Sequence, residues 1–236
     1  MTAKRFLISC LICCLLFSFA ACSNTQDTTH PQYYDALCNT MGKPMDAALE
    51  VLNASDADAK LEFYGVYSVP VEITFQKITF NTVSLGFSED VLFSFGYNAV
   101  FNADSNNKAT GTSALALHLR QVMGKSKEEK TQDTDKQMGL DKGEPTFEEV
   151  FSEEYLTQWF SENSNDTMTY TWIVGDLTSE SAKSLYETML KTARHDKDYY
   201  HENLILQATL TVTKNESGSA TLSLSYKAYL ASKQQY

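Results

Sequence analysis

Two runs of strict alternation near the C-terminus constrain this chain more than any other feature. Leu204, Leu206, Ala208, Leu210 and Val212 stand at every second position. After Asn215-Glu216-Ser217-Gly218 the alternation returns as Ala220, Leu222, Leu224, Tyr226, Ala228 and Leu230. A period of two puts every apolar side chain on one face of a strand, and the intervening segment carries turn residues. The residues predict an antiparallel hairpin with one buried face. Two strands alone are marginal in water, so that face needs helices or further strands.

The same period recurs upstream. Val71, Ile73 and Phe75 alternate with Glu72, Thr74 and Gln76. Ile78 and Phe80 follow, then Val83, Leu85 and Phe87, then Phe93, Phe95, Tyr97, Ala99 and Phe101. With Ser88-Glu89-Asp90 as a turn, residues 69–101 read as an antiparallel meander of three or four strands. Residues 168–174 read as one more strand.

Between these runs the period changes to that of a helix. Tyr34, Leu37, Cys38 and Met41 form one stripe, and Met45, Ala48, Leu49 and Leu52 form another beyond the break at Gly42-Lys43-Pro44. Thr112 or Ser113 caps a helix through Met123, with Leu115, Leu119 and Val122 inward and His118 at its boundary. Thr146 and Glu149 make a capping-box pair before Phe147, Val150, Phe151, Leu156, Trp159 and Phe160. Thr178 caps a helix carrying Ala182, Leu185, Tyr186, Met189, Leu190 and Ala193 on one face. Lys191, Arg194 and His195 suit its C-terminal dipole. Residues 125–145 are charged and nearly free of apolar side chains, which reads as a flexible loop or linker. The expected class is α+β, antiparallel sheet packed against helices. It is arranged as one domain or as two similar halves, 33–124 and 146–236.

The N-terminus speaks to location. Lys4 and Arg5 precede an apolar run over 6–21, which closes on Ala20-Ala21-Cys22. This is the pattern of a secretory signal, and its end resembles the lipobox of bacterial lipoproteins, with Phe19 where that box usually has Leu. The resemblance implies removal of 1–21, a lipid on Cys22, and a polar tether over 22–32. Membrane attachment through two or three acyl chains is firm. Cys10, Cys13 and Cys14 would leave with the leader. Cys38 then remains as the one unmodified thiol and reads as a small buried hydrophobe. A second resemblance is one of layout. Met41-Gly42-Lys43-Pro44-Met45 through Ala48-Leu49-Glu50-Val51-Leu52, followed by strands from Val71, resembles the beta-lactamase-inhibitor protein and small outer-membrane assembly lipoproteins. It implies a helical pair laid on a meander.

The formal charge of −11 becomes −13 once Lys4 and Arg5 are lost, with 17 basic against 30 acidic residues. Nucleic acid is excluded as a partner, because binding needs a basic footprint. Thirteen Tyr and thirteen Phe provide for a substantial core, so global disorder is excluded.

No catalytic or nucleotide-binding motif is present, and no cofactor is implied. The richest polar segment is His195-Asp196-Lys197-Asp198-Tyr199-Tyr200-His201-Glu202. Tyr199 and Tyr200 are candidate stacking residues for a ligand. Asp198 and His201, three apart, are candidate metal ligands. Trp159 and Trp172 fit core positions. Glu148-Glu149 and Glu153-Glu154 read as surface and capping carboxylates, and Asp104-Ser105-Asn106-Asn107 reads as a turn. The expectation is a non-enzymatic binding or interaction domain, lipid-anchored on the extracytoplasmic side of a bacterial membrane, with an envelope protein or small ligand as partner. The alternatives are a cell-surface hydrolase built on converging carboxylates, and an inhibitor of an envelope enzyme.

Overall fold

A seven-stranded antiparallel sheet of order β1-β2-β3-β4-β7-β6-β5 organises the structure. The computed structural model describes residues 29–140 and 143–233. The strands are β1 (Lys60–Phe63), β2 (Val66–Phe75), β3 (Ile78–Ser88), β4 (Val91–Phe101), β5 (Asp166–Leu177), β6 (Leu204–Lys214) and β7 (Ala220–Tyr229). The described helices are α1 (Tyr34–Cys38), α2 (Met45–Leu52), α3 (Lys108–Met123), α4 (Lys127–Gln137), α5 (Phe147–Val150), α6 (Glu153–Ser161) and α7 (Glu180–Lys191). The chain is an α+β protein. From Pro31 onward it forms one compact unit.

The alternation read from sequence sets the register. Leu206, Leu210 and Val212 of β6 face Ala228, Leu224 and Leu222 of β7, so their apolar side chains share one face. β4 joins the same face, pairing Phe95 with Tyr226, Tyr97 with Leu224 and Ala99 with Leu222. The β2–β3 and β3–β4 turns have two central residues each. Gln76, Lys77, Glu89 and Asp90 all hold positive φ, as the tight hairpin geometry requires. Residues 33–124 and 146–236 thereby build one sheet. The β4–β7 pairing is the seam between the two stretches, and alternation alone carries no information on which strands become neighbours.

All the inward helix residues and the apolar strand face form one hydrophobic cluster. Trp172, Tyr97, Tyr226, Phe80 and Phe95 are among its largest fully buried members. Tyr34 of α1 lies over the rings of Phe95 and Tyr226, with centroids 6.1 and 4.8 Å away. The corner between α1 and α2 is held by Gly42, whose N–H donates to Leu92 of β4 at 2.8 Å. Gly42 has φ +88°, and a Cβ there would lie 2.0 Å from the Ser181 carbonyl oxygen in α7. Only glycine fits that contact.

Residues 127–137 form a helix where the sequence reads a flexible loop or linker. Packing of an apolar stripe does not explain α4, since Glu129 is its only buried residue. Its ends explain it instead. Ser126 and Glu129 make a reciprocal capping box, and Glu129 accepts from Arg120 Nε at 2.6 Å. A second guanidinium nitrogen of Arg120 meets Glu148 at 2.8 Å. One arginine therefore ties α3, α4 and α5 together. Glu128 adds a fixed point by accepting the Thr171 N–H of edge strand β5 at 2.8 Å.

Two smaller differences have local causes. The helix through Met123 starts at Lys108 rather than at Thr112 or Ser113, both of which are buried inside it. The α7 cap is Ser179, whose side chain accepts the Ala182 N–H, rather than Thr178. The Thr146–Glu149 capping box forms as the spacing predicts.

Candidate functional site

The face of the sheet opposite the core carries the most regular chemistry in the molecule. The residues between the apolar positions of each strand point there. The pairings align them into rows across six strands. One row runs Thr169, Thr211, Ser223, Asn98, Thr82 and Pro70. The next runs Thr171, Thr209, Ser225, Gly96, Ser84 and Ser68. A flanking row begins Thr167, Thr213, Thr221 and Val100, and on the other side Gln207, Lys227 and Ser94 are aligned. Lys227 is the one charged residue in these rows, although charged residues make up 21% of the chain.

Hydroxyls on this face bond mainly to one another and to the sheet backbone. Thr167 and Thr213 share a hydrogen bond of 3.1 Å. Ser84 donates to the Gly96 carbonyl at 3.3 Å, and Gln207 Nε2 to Thr209 Oγ1 at 3.4 Å. No described helix packs its apolar residues here. Only α4 comes near, from the β5 edge, where Lys127 donates to Gln207 at 3.0 Å and sits 5.5 Å from the Tyr229 ring. At the same end Lys227 lies 5.6 Å from the ring of Phe93.

The segment nominated by sequence lies elsewhere, beyond the C-terminal end of α7. Tyr199 stacks on His195 with centroids 4.1 Å apart, and Tyr200 meets Tyr199 edge-on at 5.1 Å. A short 3-10 turn, Lys197–Tyr199, presents them. Backbone bonds from His201 N to Ala231 O and from Lys233 N to Tyr199 O hold the segment against the chain end. Tyr199 is exposed. Tyr200 lines a cleft of about 310 Å³ together with Leu185, Met189, Leu230 and Glu89. Two aromatic side chains are thus brought together beside an apolar hollow, an arrangement able to receive a small amphipathic molecule.

Asp198 and His201 do not join a third ligand. Among the described residues no three His, Cys, Asp or Glu side chains gather into a group able to hold a metal ion. His201 Nδ1 instead accepts from the Asn203 N–H at 3.4 Å. Lys197 is drawn to Glu187 at 3.0 Å, which raises its pKa.

Elsewhere the titratable groups take structural roles. Asp58, Glu62, Asp133, Glu149 and Glu180 are all held below the usual carboxylate range by hydrogen bonds to neighbouring N–H, hydroxyl or ammonium groups. Burial pushes the Cys38 thiol up to about 12, which keeps it protonated and a poor nucleophile. His118 packs edge-on against Phe75 at 5.3 Å. Trp159 and Trp172 are core residues whose indole N–H groups donate to Asp166 and to the Gly124 carbonyl.

Cys22 lies outside the described residues. Among the described residues no helix is long and apolar enough to cross a membrane. Protein-family models, curated proteins and solved structures give no match to this chain. The hydroxyl rows were open to discovery in the sequence, as Thr and Ser at alternate positions of 167–171, 209–213 and 221–225. Apolar periodicity draws attention to the other half of that alternation.

Proposed function

We propose that this chain is a lipid-anchored binding domain on the extracytoplasmic side of a bacterial envelope. The lipobox-like sequence ending at Cys22 supports the anchor and the location. The observation that carries the binding role is the sheet face without charge or helix cover on an otherwise acidic protein. A sheet face that only meets water needs no such depletion, because Lys and Glu serve there equally well. The hydrolase reading calls for a carboxylic acid with a raised pKa in a pocket. Every carboxylate displaced among the described residues is displaced downward, which lends that reading no support.

The test is crosslinking in intact bacterial cells, comparing the full chain with Cys22→Ala. Mass spectrometry then reads the lipid on the N-terminal peptide and whatever the domain captures. A lipid on residue 22 that disappears in the variant, with a captured partner, is the expected result. An unlipidated Cys22 in the exported protein would refute the anchor.

A further inference from the structure

We infer that the hydroxyl face is a docking surface for an uncharged polysaccharide. This rests on the binding role proposed above and names the class of partner. The rows span six strands, about 24 Å at the ~4.8 Å spacing between strands, and successive rows are ~6.7 Å apart along them. Within that area the side chains are almost entirely Thr and Ser with Asn98 and Gln207. A hydroxyl is one donor and two acceptors on a freely turning bond. An array of them matches a partner whose surface is also hydroxyls.

Charge narrows the choice. An anionic polymer is repelled by a chain of formal charge −11 and finds only Lys227 within the rows. A cationic polymer finds no carboxylate in them. Protein interfaces draw their binding energy from buried Trp, Tyr and Arg, and are depleted in Ser. No Trp or Arg stands in these rows. A neutral, repeating, hydroxyl-covered chain is what remains. Repetition also suits the energetics, since many weak contacts sum along a polymer. Phe93 and Tyr229 border the rows at one end, each with a lysine near its ring. They offer flat surfaces on which a sugar ring can stack.

The experiment is pull-down of the full lipidated chain, in detergent, on insoluble cellulose, chitin and β-1,3-glucan, with polygalacturonate as the anionic control. Thr211→Lys and Ser225→Lys put bulk and charge into the middle rows. Tyr64→Ala, at the exposed tip between β1 and β2, is the control variant. Unchanged urea midpoints establish that the variants fold. The expected result is saturable retention on at least one neutral polysaccharide, about tenfold weaker in both lysine variants and unchanged in Tyr64→Ala. Failure to bind any of the three, or equal binding by the lysine variants, overturns the inference. A protein crosslinked through Thr211 in cells also overturns it, while leaving the anchored binding role intact. Loss of the Cys22 lipid would overturn the anchor without touching this result.

Discussion

Gly42→Ala isolates the tightest backbone contact in the molecule, and the structure gives its size. The left-handed φ of +88° costs an L-residue roughly 1–2 kcal/mol, offset by about 0.4–1 kcal/mol from the stiffer unfolded chain. The new methyl would also stand 2.0 Å from the Ser181 carbonyl oxygen and 2.7 Å from its carbon. Ordinary contact needs more than 1 Å of retreat, and α7 is fixed by Leu185 and Tyr186 in the core. Overpacking of that kind adds about 1–3 kcal/mol, for a total near 3 kcal/mol. Gly139→Ala is the matched control. Its φ is +70° with nothing within 4 Å of the added carbon, so it carries the conformational cost alone, about 0.5–1 kcal/mol. Urea unfolding followed by tryptophan fluorescence reads both. At a slope of roughly 2 kcal/mol per molar, Gly42→Ala moves the midpoint down by about 1.5 M and Gly139→Ala by less than about 0.5 M. Equal shifts in the two variants would refute the claim that the α1–α2 corner is wedged against α7.

Three further outcomes are expected. Tyr226→Phe removes a fully buried hydroxyl that has no hydrogen-bond partner among the described residues. It leaves stability unchanged or raises it by about 1 kcal/mol, and a loss above that in urea unfolding would reveal a bond to that oxygen. Glu129→Ala removes the buried carboxylate that Arg120 and the Ser126 N–H share. It costs about 2 kcal/mol and accelerates amide exchange across 127–137 before the rest of the protein, whereas uniform exchange would contradict the view of α4 as held by its ends. Cys38 resists a thiol reagent at pH 8.5 until the protein unfolds. Its raised pKa means the folded state keeps a proton that the unfolded state releases. Its contribution is therefore present below about pH 9 and is lost as pH rises toward 12. Fast labelling of the native protein at pH 8.5 would count against that burial.

Strand existence was largely legible, because each long strand alternates and each alternation is flanked by turn residues. The hairpin of β6 and β7 follows directly from Leu204 to Leu230. The meander of β2, β3 and β4 follows from Val71 to Phe101. The short edge strand β1 was not legible, since Lys60, Leu61, Glu62 and Phe63 are all exposed and alternation without burial leaves no pattern. α4 was hidden for the opposite reason. Its sequence has charge but no apolar stripe, and its one local sign was Ser126 three residues before Glu129. At the site, Tyr199 and Tyr200 do come together, but the aromatic content of 195–202 drew attention from the plainer Thr and Ser of the sheet. Long-range pairing decides that face, and pairing is set by the whole core rather than by any one strand.

The place of β7 in the sheet has a consequence for how the chain reaches its final form. β7 is the last strand in sequence, yet it sits between β4 and β6. Until residues 220–229 are available, β4 offers an open edge of eleven residues, and β5 and β6 have no place on the earlier strands. The decisive contacts are therefore the most distant along the chain, which slows folding and exposes unpaired strand meanwhile. Assembly waits for the final strand, and a ribosome-bound or half-exported chain lacking it cannot close the sheet.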